Sequence, residues 1–256
     1  HLIMLILIFN KAEKGKINKC VCIVTVMINE NWKKLIGSSD LSRTIADING
    51  DGHLQLQGWR GAVSFYSKKK DEIDAVSKRF KSLFEIQGRI YVDSRGKGYK
   101  LFFISKPLAQ FLHEIGAAKG NKTNQAFSVP KWVIEGDKEA KRAYLKGIFV
   151  TEGYIYSTKI KDNKIRWRIG LEQYKNELFK EEGKRYMEQI RNMLDGFEIK
   201  SSPVRFNGFN IRKDGTKSLG TRFDIEQKQF NSFYKEIGFD NRYKTSRLVS
   251  AMRGQN

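Results

Sequence analysis

The sequence predicts an α+β fold of two pseudo-symmetric lobes, each ordered αββαββα, and three observations carry that prediction. First, an apolar helical stretch ending in acid and glycine occurs twice, as LSRTIADINGDG over 41–52 and RAYLKGIFVTEG over 142–153. Its two acids, Asp51 and Glu152, are thereby offset by 101 residues. A repeat of that size is too long for a solenoid unit and suits half of a pseudo-symmetric molecule. Second, KPLAQFLHEIG from Lys106 matches KQFNSFYKEIG from Lys228 at an offset of 122, and Lys122-Thr123 matches Lys244-Thr245 in the same register. The step from 101 to 122 gives the second half about 21 extra residues, and turn signals at Gly208 and 213–216 put them between Leu194 and Thr221. Third, period-two alternation gives way to recurrence every three or four residues in the same order in both halves. Hairpin-connected strands followed by helices imply antiparallel sheets with helices on one face.

The elements follow in order. Residues 1–36 hold two apolar runs, Leu2 to Phe9 and Cys20 to Met27, around a basic link, and read as an N-terminal extension, either a β-hairpin or a short cover packed on the first lobe, to which the sequence assigns no role. Neither run reaches the ~20 residues that span a bilayer, and no signal-peptide pattern is evident. The first lobe, 37–125, opens with N-cap candidates Ser38 to Asp40 and a stripe of Leu41, Ile45 and Ile48 that stops at Asp51. Strands His53 to Trp59 and Ala62 to Tyr66, a helix Asp71 to Phe84, strands Ile86 to Val92 and Tyr99 to Ile104, and a helix Pro107 to Ile115 complete it. The second lobe, 126–256, begins its motif helix at Asp137. Strands Tyr154 to Ile160 and Ile165 to Glu172, a helix Asn176 to Leu194, strands Val204 to Phe206 and Thr221 to Glu226, and a helix Phe230 to Ile237 follow.

Charge narrows the partners. Forty-eight Lys and Arg against 28 Asp and Glu leave a net charge of +20, which points to a polyanion, nucleic acid above all. On the polar faces of the strands Gln55 and Gln57 alternate with leucines, Lys159 and Lys161 flank Ile160, and Arg166 and Arg168 flank Trp167. These side-chain types bond base edges and phosphates, and a two-stranded ribbon fits a DNA major groove. Cys20 and Cys22 lack partners for a four-ligand zinc site, and three histidines form no metal-binding spacing, so any metal must sit on oxygen.

The doubled motif, each copy followed by β-β-α-β-β-α in a basic chain, resembles the LAGLIDADG homing endonucleases in their two-motif, monomeric form. Leu145 to Gly153 is the better match, while Thr44 to Gly52 departs at Thr44, Asp47 and Asn49. The resemblance covers roughly 38–248. It implies motif helices packed side by side at the lobe interface and sheets forming a saddle on double-stranded DNA. It also implies a metal-dependent double-strand break in a long asymmetric target, as in intron homing. Asp51 and Glu152 would hold Mg²⁺ or Mn²⁺ with help from Gly50 and Thr151, and hard oxygen donors suit these ions. Small residues Ala46, Gly50 and Gly147 would let the helices approach, and Gly52 and Gly153 would take the left-handed position past each helix end. Further catalytic groups implied are Gln173 at the end of a second strand, Lys68 or Lys69 as its counterpart, and Lys106 with Lys228 as basic residues after the fourth strands. Lys100 and Arg222, equivalent in the repeat register, join the DNA-binding set. An RNA maturase acting on intron RNA and a non-cleaving DNA-binding regulator are the alternatives. The expected setting is a DNA-containing intracellular compartment, the cytoplasm of a prokaryote or an organelle, with no membrane.

Overall fold

The apolar alternation of the sequence produces two four-stranded sheets, each with its own helices on the buried face. The computed structural model describes residues 3–13, 16–26, 28–93, 96, 98–160 and 164–253, and side chains from residue 28 onward. An antiparallel hairpin, β1 (Ile3–Glu13) and β2 (Lys16–Val26), comes first. The first lobe then contains α1 (Glu30–Lys33), α2 (Ser39–Asn49), β3 (His53–Gln57), β4 (Arg60–Ser67), α3 (Lys70–Phe84), β5 (Arg89–Val92), β6 (Tyr99–Ile104) and α4 (Lys106–Glu114). The second contains α5 (Lys131–Ile134), α6 (Lys138–Thr151), β7 (Gly153–Lys159), β8 (Ile165–Asn176), α7 (Lys180–Asp195), β9 (Arg205–Ile211), β10 (Lys217–Asp224), α8 (Phe230–Glu236) and α9 (Arg242–Arg253). The strand orders, β3-β4-β6-β5 and β7-β8-β10-β9, are the same topology. No described helix is long and apolar enough to cross a membrane.

Local signals place the motif helices. Ser38 accepts from the Leu41 amide at the start of α2, and Asp137 accepts from the Ala140 amide at 2.7 Å at the start of α6, each satisfying an orphan donor. The stripe Leu41, Ile45 and Ile48 is fully buried, as are Leu145, Ile148 and Phe149 on α6. Aromatic packing fills the space beneath the first sheet, where Phe80 of α3 stacks on Phe103 of β6 at 4.2 Å. Phe149, Phe223 and Phe233 do the same under the second.

The two motif helices pack directly on each other. A Cβ added at Gly147 would lie 2.6 Å from the Ala46 Cβ, and one at Gly50 would lie 2.0 Å from Thr151 Oγ1. Ser42 donates to the Ala140 carbonyl at 2.6 Å across the same interface. Small residues therefore set the helix separation, as their spacing predicts. The departures of the first motif copy each have a partner. Asn49 is buried and bonds the Ala118 amide, the Gly116 carbonyl and Tyr144 Oη. Thr44 bonds the Asp40 carbonyl, and Asp47 pairs with Arg43 and with Arg79 of α3. Arg43 continues to Asp240 at 2.5 Å, tying the first motif helix to the second lobe.

Several expectations are corrected. Gly52 and Gly153 do not take left-handed φ. They are required because a Cβ would strike the preceding turn, 2.8 Å from Ile48 Cα and 2.2 Å from the Phe149 carbonyl respectively. The extra residues of the second lobe are not confined to 194–221. β8 runs for 12 residues against 8 in β4, and β9 for 7 against 4 in β5, so part of the excess lengthens strands. Gly208 is no turn: at φ +57° it forms a bulge inside β9, where the pairing slips between Leu219 and Gly220. β8 also continues to Asn176, so α7 begins at Lys180, and α9 covers a segment the periodicity did not single out.

Candidate active site

The site lies where the last turns of α2 and α6 touch. Gly50 and Thr151 are in contact, and Asp51 and Glu152 are the next residues on their chains, so the touch carries both carboxylates to one place. Asp51 is exposed and Glu152 half-buried. Burial, reinforced by the Asp51 charge, pushes the Glu152 carboxyl up to about 7, with Lys122, Lys244 and Lys175 pulling the other way. A cavity of about 580 Å³ opens beside Asp51 and is lined in part by Thr151, Lys244, Glu72 and Arg79.

Three lysines ring the acids. Lys122 Nζ donates to the Ile48 and Gly52 carbonyls at 3.0 and 2.8 Å and closely to that of Gly50, capping the end of α2. Lys244 Nζ donates to the Val150 carbonyl at 2.6 Å, doing the same at the end of α6. A cation at a helix C-terminus meets the negative end of the macrodipole. Burial lowers both ammonium groups while Asp51 and Glu152 oppose the shift. Lys175 of β8 is buried; its Nζ donates to the Lys122 and Gln125 carbonyls at 2.6 and 3.0 Å and stands 3.7 Å over the Phe127 ring. Burial, then the neighbouring Lys122 charge, lowers its pKa to about 7.

Of the expected lysines, two lie away from the acids and two at their end of the sheet. Lys106 and Lys228 follow β6 and β10, which run from the acid end of each sheet to the opposite end. Lys106 there bonds the Gly58 carbonyl at 2.7 Å and Lys228 pairs with Glu226 at 3.0 Å. Lys68 is exposed, and Lys69 pairs with Glu72 at 3.3 Å. Gln173 is buried on the inner face of β8 opposite Thr221, and its Oε1 has no partner among the described residues. Lys175, two residues further on the same face, is the member of β8 whose charge Glu152 feels. The repeat register held the missed signal, since Lys122-Thr123 and Lys244-Thr245 occur at one offset.

The donors fit a hard divalent ion shared with a substrate. No group of three His, Cys, Asp or Glu side chains forms a closed cage among the described residues, so the two carboxylates would need phosphate and water oxygens to fill six positions. The Gly50 carbonyl, expected on the metal, is engaged by Lys122.

The outer sheet faces hold most of the expected groove residues. Gln55 and Gln57 of β3, Lys100 of β6 and Arg166 of β8 are exposed there, whereas Lys159, exposed at the end of β7, keeps the register of buried Ile155 and so belongs to the opposite face. Arg168 and Arg222 share that face but are paired with Asp224, at 3.6 and 3.0 Å. Lys161 lies outside the described residues.

No family model matches the chain. It is 28% identical over 217 residues to the tRNA-splicing ligase RtcB of Pyrococcus furiosus, covering 78% of this chain and 21% of that protein. Against the replication factor C small subunit of Methanocaldococcus jannaschii it is 26% identical, covering 62% and 9%. Against the RNA polymerase subunit Rpo1N of the same organism it is 25% identical, covering 83% and 16%. The chain thus spans about a fifth or less of the curated relatives it matches. Among solved structures, a variant of I-DmoI in complex with its nicked target DNA and Mn aligns with a TM-score of 0.53 at 15% identity, covering 79% of this chain and 97% of that one. I-DmoI in complex with DNA and Mn aligns with a TM-score of 0.51 at 16% identity, covering 78% and 97%. The chain has the LAGLIDADG homing-endonuclease fold.

Proposed function

We propose that the chain is a divalent-metal-dependent, site-specific DNA endonuclease that binds as a monomer across an asymmetric duplex and breaks both strands. The observation that carries this reading is the contact of Gly50 with Thr151, which brings two carboxylates from different lobes to one spot between two basic sheets. Mg²⁺ or Mn²⁺ held by Asp51 and Glu152 would lower the pKa of an attacking water and offset charge on the phosphate. The protein's own part is to fix the two acids through the helix contact and to supply positive charge from Lys122 and Lys244. Such fixed charge stabilises the phosphorane-like charge that develops on the scissile group. Lys175, with a pKa near neutrality, is suited to hold or release a proton at Nζ within the same cluster.

Asp51→Asn or Glu152→Gln is expected to abolish cleavage of a selected target while leaving affinity within about tenfold, because phosphate contacts dominate binding. Selection from randomised duplexes with and without Mg²⁺ supplies the target. Full cleavage by either variant removes the two acids from the chemistry.

The relatives favour one genetic setting over intron homing. A tRNA-splicing ligase, a replication factor C small subunit and an RNA polymerase subunit are different proteins by name, yet each shares a stretch with this chain that is a small part of its own length. We infer that the shared stretch is a mobile endonuclease carried inside protein-coding genes and independent of the host activity. Its target is then an uninterrupted copy of such a gene. A selected site matching coding sequence supports this; one matching only an intron insertion junction restores the intron reading.

A further inference from the structure

The groove faces of the two sheets differ in one respect that sequence equivalence hides. On the second sheet Asp224 sits among three guanidinium groups: Arg205 Nη2 at 2.5 Å, Arg222 Nη2 at 3.0 Å and Arg168 Nη1 at 3.6 Å. Tyr154 Oη donates to the same carboxylate at 2.6 Å, and the Asp224 amide donates to Ser202 Oγ at 3.0 Å. Gly170 keeps Tyr154 flat on the sheet, since a Cβ there would lie 2.5 Å from its hydroxyl. Against the burial that would raise it, bonds from Tyr154, Arg205 and Arg222 hold the Asp224 carboxyl below its ordinary value, so it stays ionised. At the equivalent place in the first lobe, 122 residues earlier, stands Phe102, with Lys100 Nζ over its ring at 5.2 Å.

A carboxylate accepts at about four positions, whereas three guanidiniums offer about fifteen N–H donors, so most donors are left over. The Arg222 side chain is only 12% exposed, but those of Arg205 and Arg168 are 44% and 33% exposed. Arg205 is thus held through Nη2 on Asp224 and Nη1 on Ser202 Oγ at 3.2 Å, Arg168 stands beside the carboxylate in a looser ion pair, and both keep donors open to solvent. A guanidinium held in plane and facing a groove matches the paired N7 and O6 acceptors of guanine. Asp224, its own acceptors occupied, is not free to take a cytosine amine.

Building on the proposed DNA-binding function, we propose that Asp224 is a positioning residue that aims Arg168 and Arg205 at guanine, giving the half-site under the second lobe a guanine preference absent from the other half-site.

The test reads binding rather than cleavage, so it stands apart from the catalytic assignment. Duplexes randomised over both half-sites are selected on the full chain in EDTA, using the wild type, Arg205→Ala and Asp224→Asn, with circular dichroism and thermal melts confirming folding. The expected result is guanine enrichment at one or two positions of one half-site. Arg205→Ala should reduce it roughly ten- to a hundredfold, Asp224→Asn should reduce it at the same positions, and the other half-site should be unchanged. Uniform weakening of every duplex with base preferences intact would overturn the proposal and make these arginines phosphate anchors. A sequence-specific wild type without guanine enrichment would overturn it as well. A wild type with no sequence preference at all would strike instead at the reading of the sheets as DNA-binding surfaces.

Discussion

At the scale of single residues the site is a balance of two acids against three lysines, and its titration is directional. Folded Glu152 has a pKa of about 7 against an ordinary 4.5, so between those values the native state binds more protons and stability falls as pH rises. Folded Lys175 sits at about 7 against 10.5, so over that window the unfolded state binds more protons and stability rises with pH. The two windows meet near neutrality, and metal-free protein is expected to show a shallow stability minimum there. Because a divalent ion needs ionised Glu152, Mn²⁺ affinity should climb with pH below about 7 and level off above it. Thermal melts across pH 5–9, with and without Mn²⁺, check both. A Mn²⁺ stabilisation that is flat from pH 5 to 7 would mean that Glu152 is not a ligand.

At the scale of elements the motif helices are held apart by the smallest side chains the chain has. Replacing Gly147 by Ala gains up to ~1 kcal/mol of helix propensity but drives a methyl to 2.6 Å from Ala46 Cβ. Overpacking of this kind costs ~1–3 kcal/mol, so the clash wins. Gly147→Ala is expected to lower the melting temperature and, by spreading the two acids, to slow cleavage more than it weakens binding. A variant as stable and as active as the parent would show slack between α2 and α6. The strands carry a second lesson. Their existence and order follow from alternation, but the expected end of β8 falls short of the observed one, because Gln173 and Lys175 are polar residues on its buried face while its pairing with β10 runs on to Asn176. Polarity there marks the approach to the site and breaks the pattern by which strands are recognised.

At the scale of the whole molecule the chain carries a net charge of +20, part of it on the outer faces of the two sheets. A protein that neutralises ~6–10 phosphates loses ~10³–10⁵ in affinity between 50 and 200 mM salt. Filter-binding or anisotropy titrations over that range are expected to show such a slope for any duplex. A nearly salt-independent affinity would argue that the charge serves solubility alone. Lobe-to-lobe ties such as Arg43 to Asp240 and Asn241 to Glu72 lock the relative orientation on which a common groove depends.

The sequence by itself determined the order of the sheet strands and of the helices of the repeat (but not α1, α5 or α9), the pairing of Asp51 with Glu152 and the small residues between the motif helices. Those are properties of local periodicity and of a repeat, both written along the chain. Tertiary structure alone decided which cations reach the acids. Lys106 and Lys228 lie at the far end of their sheets, whereas Lys122, Lys175 and Lys244 arrive from a 3-10 turn (Lys122–Asn124), a strand and a helix distant in sequence. It also decided that Arg168 and Arg222 converge on Asp224. A lysine or arginine is legible as a charge anywhere in a basic chain, but its role depends on a direction in space, which neither composition nor spacing encodes.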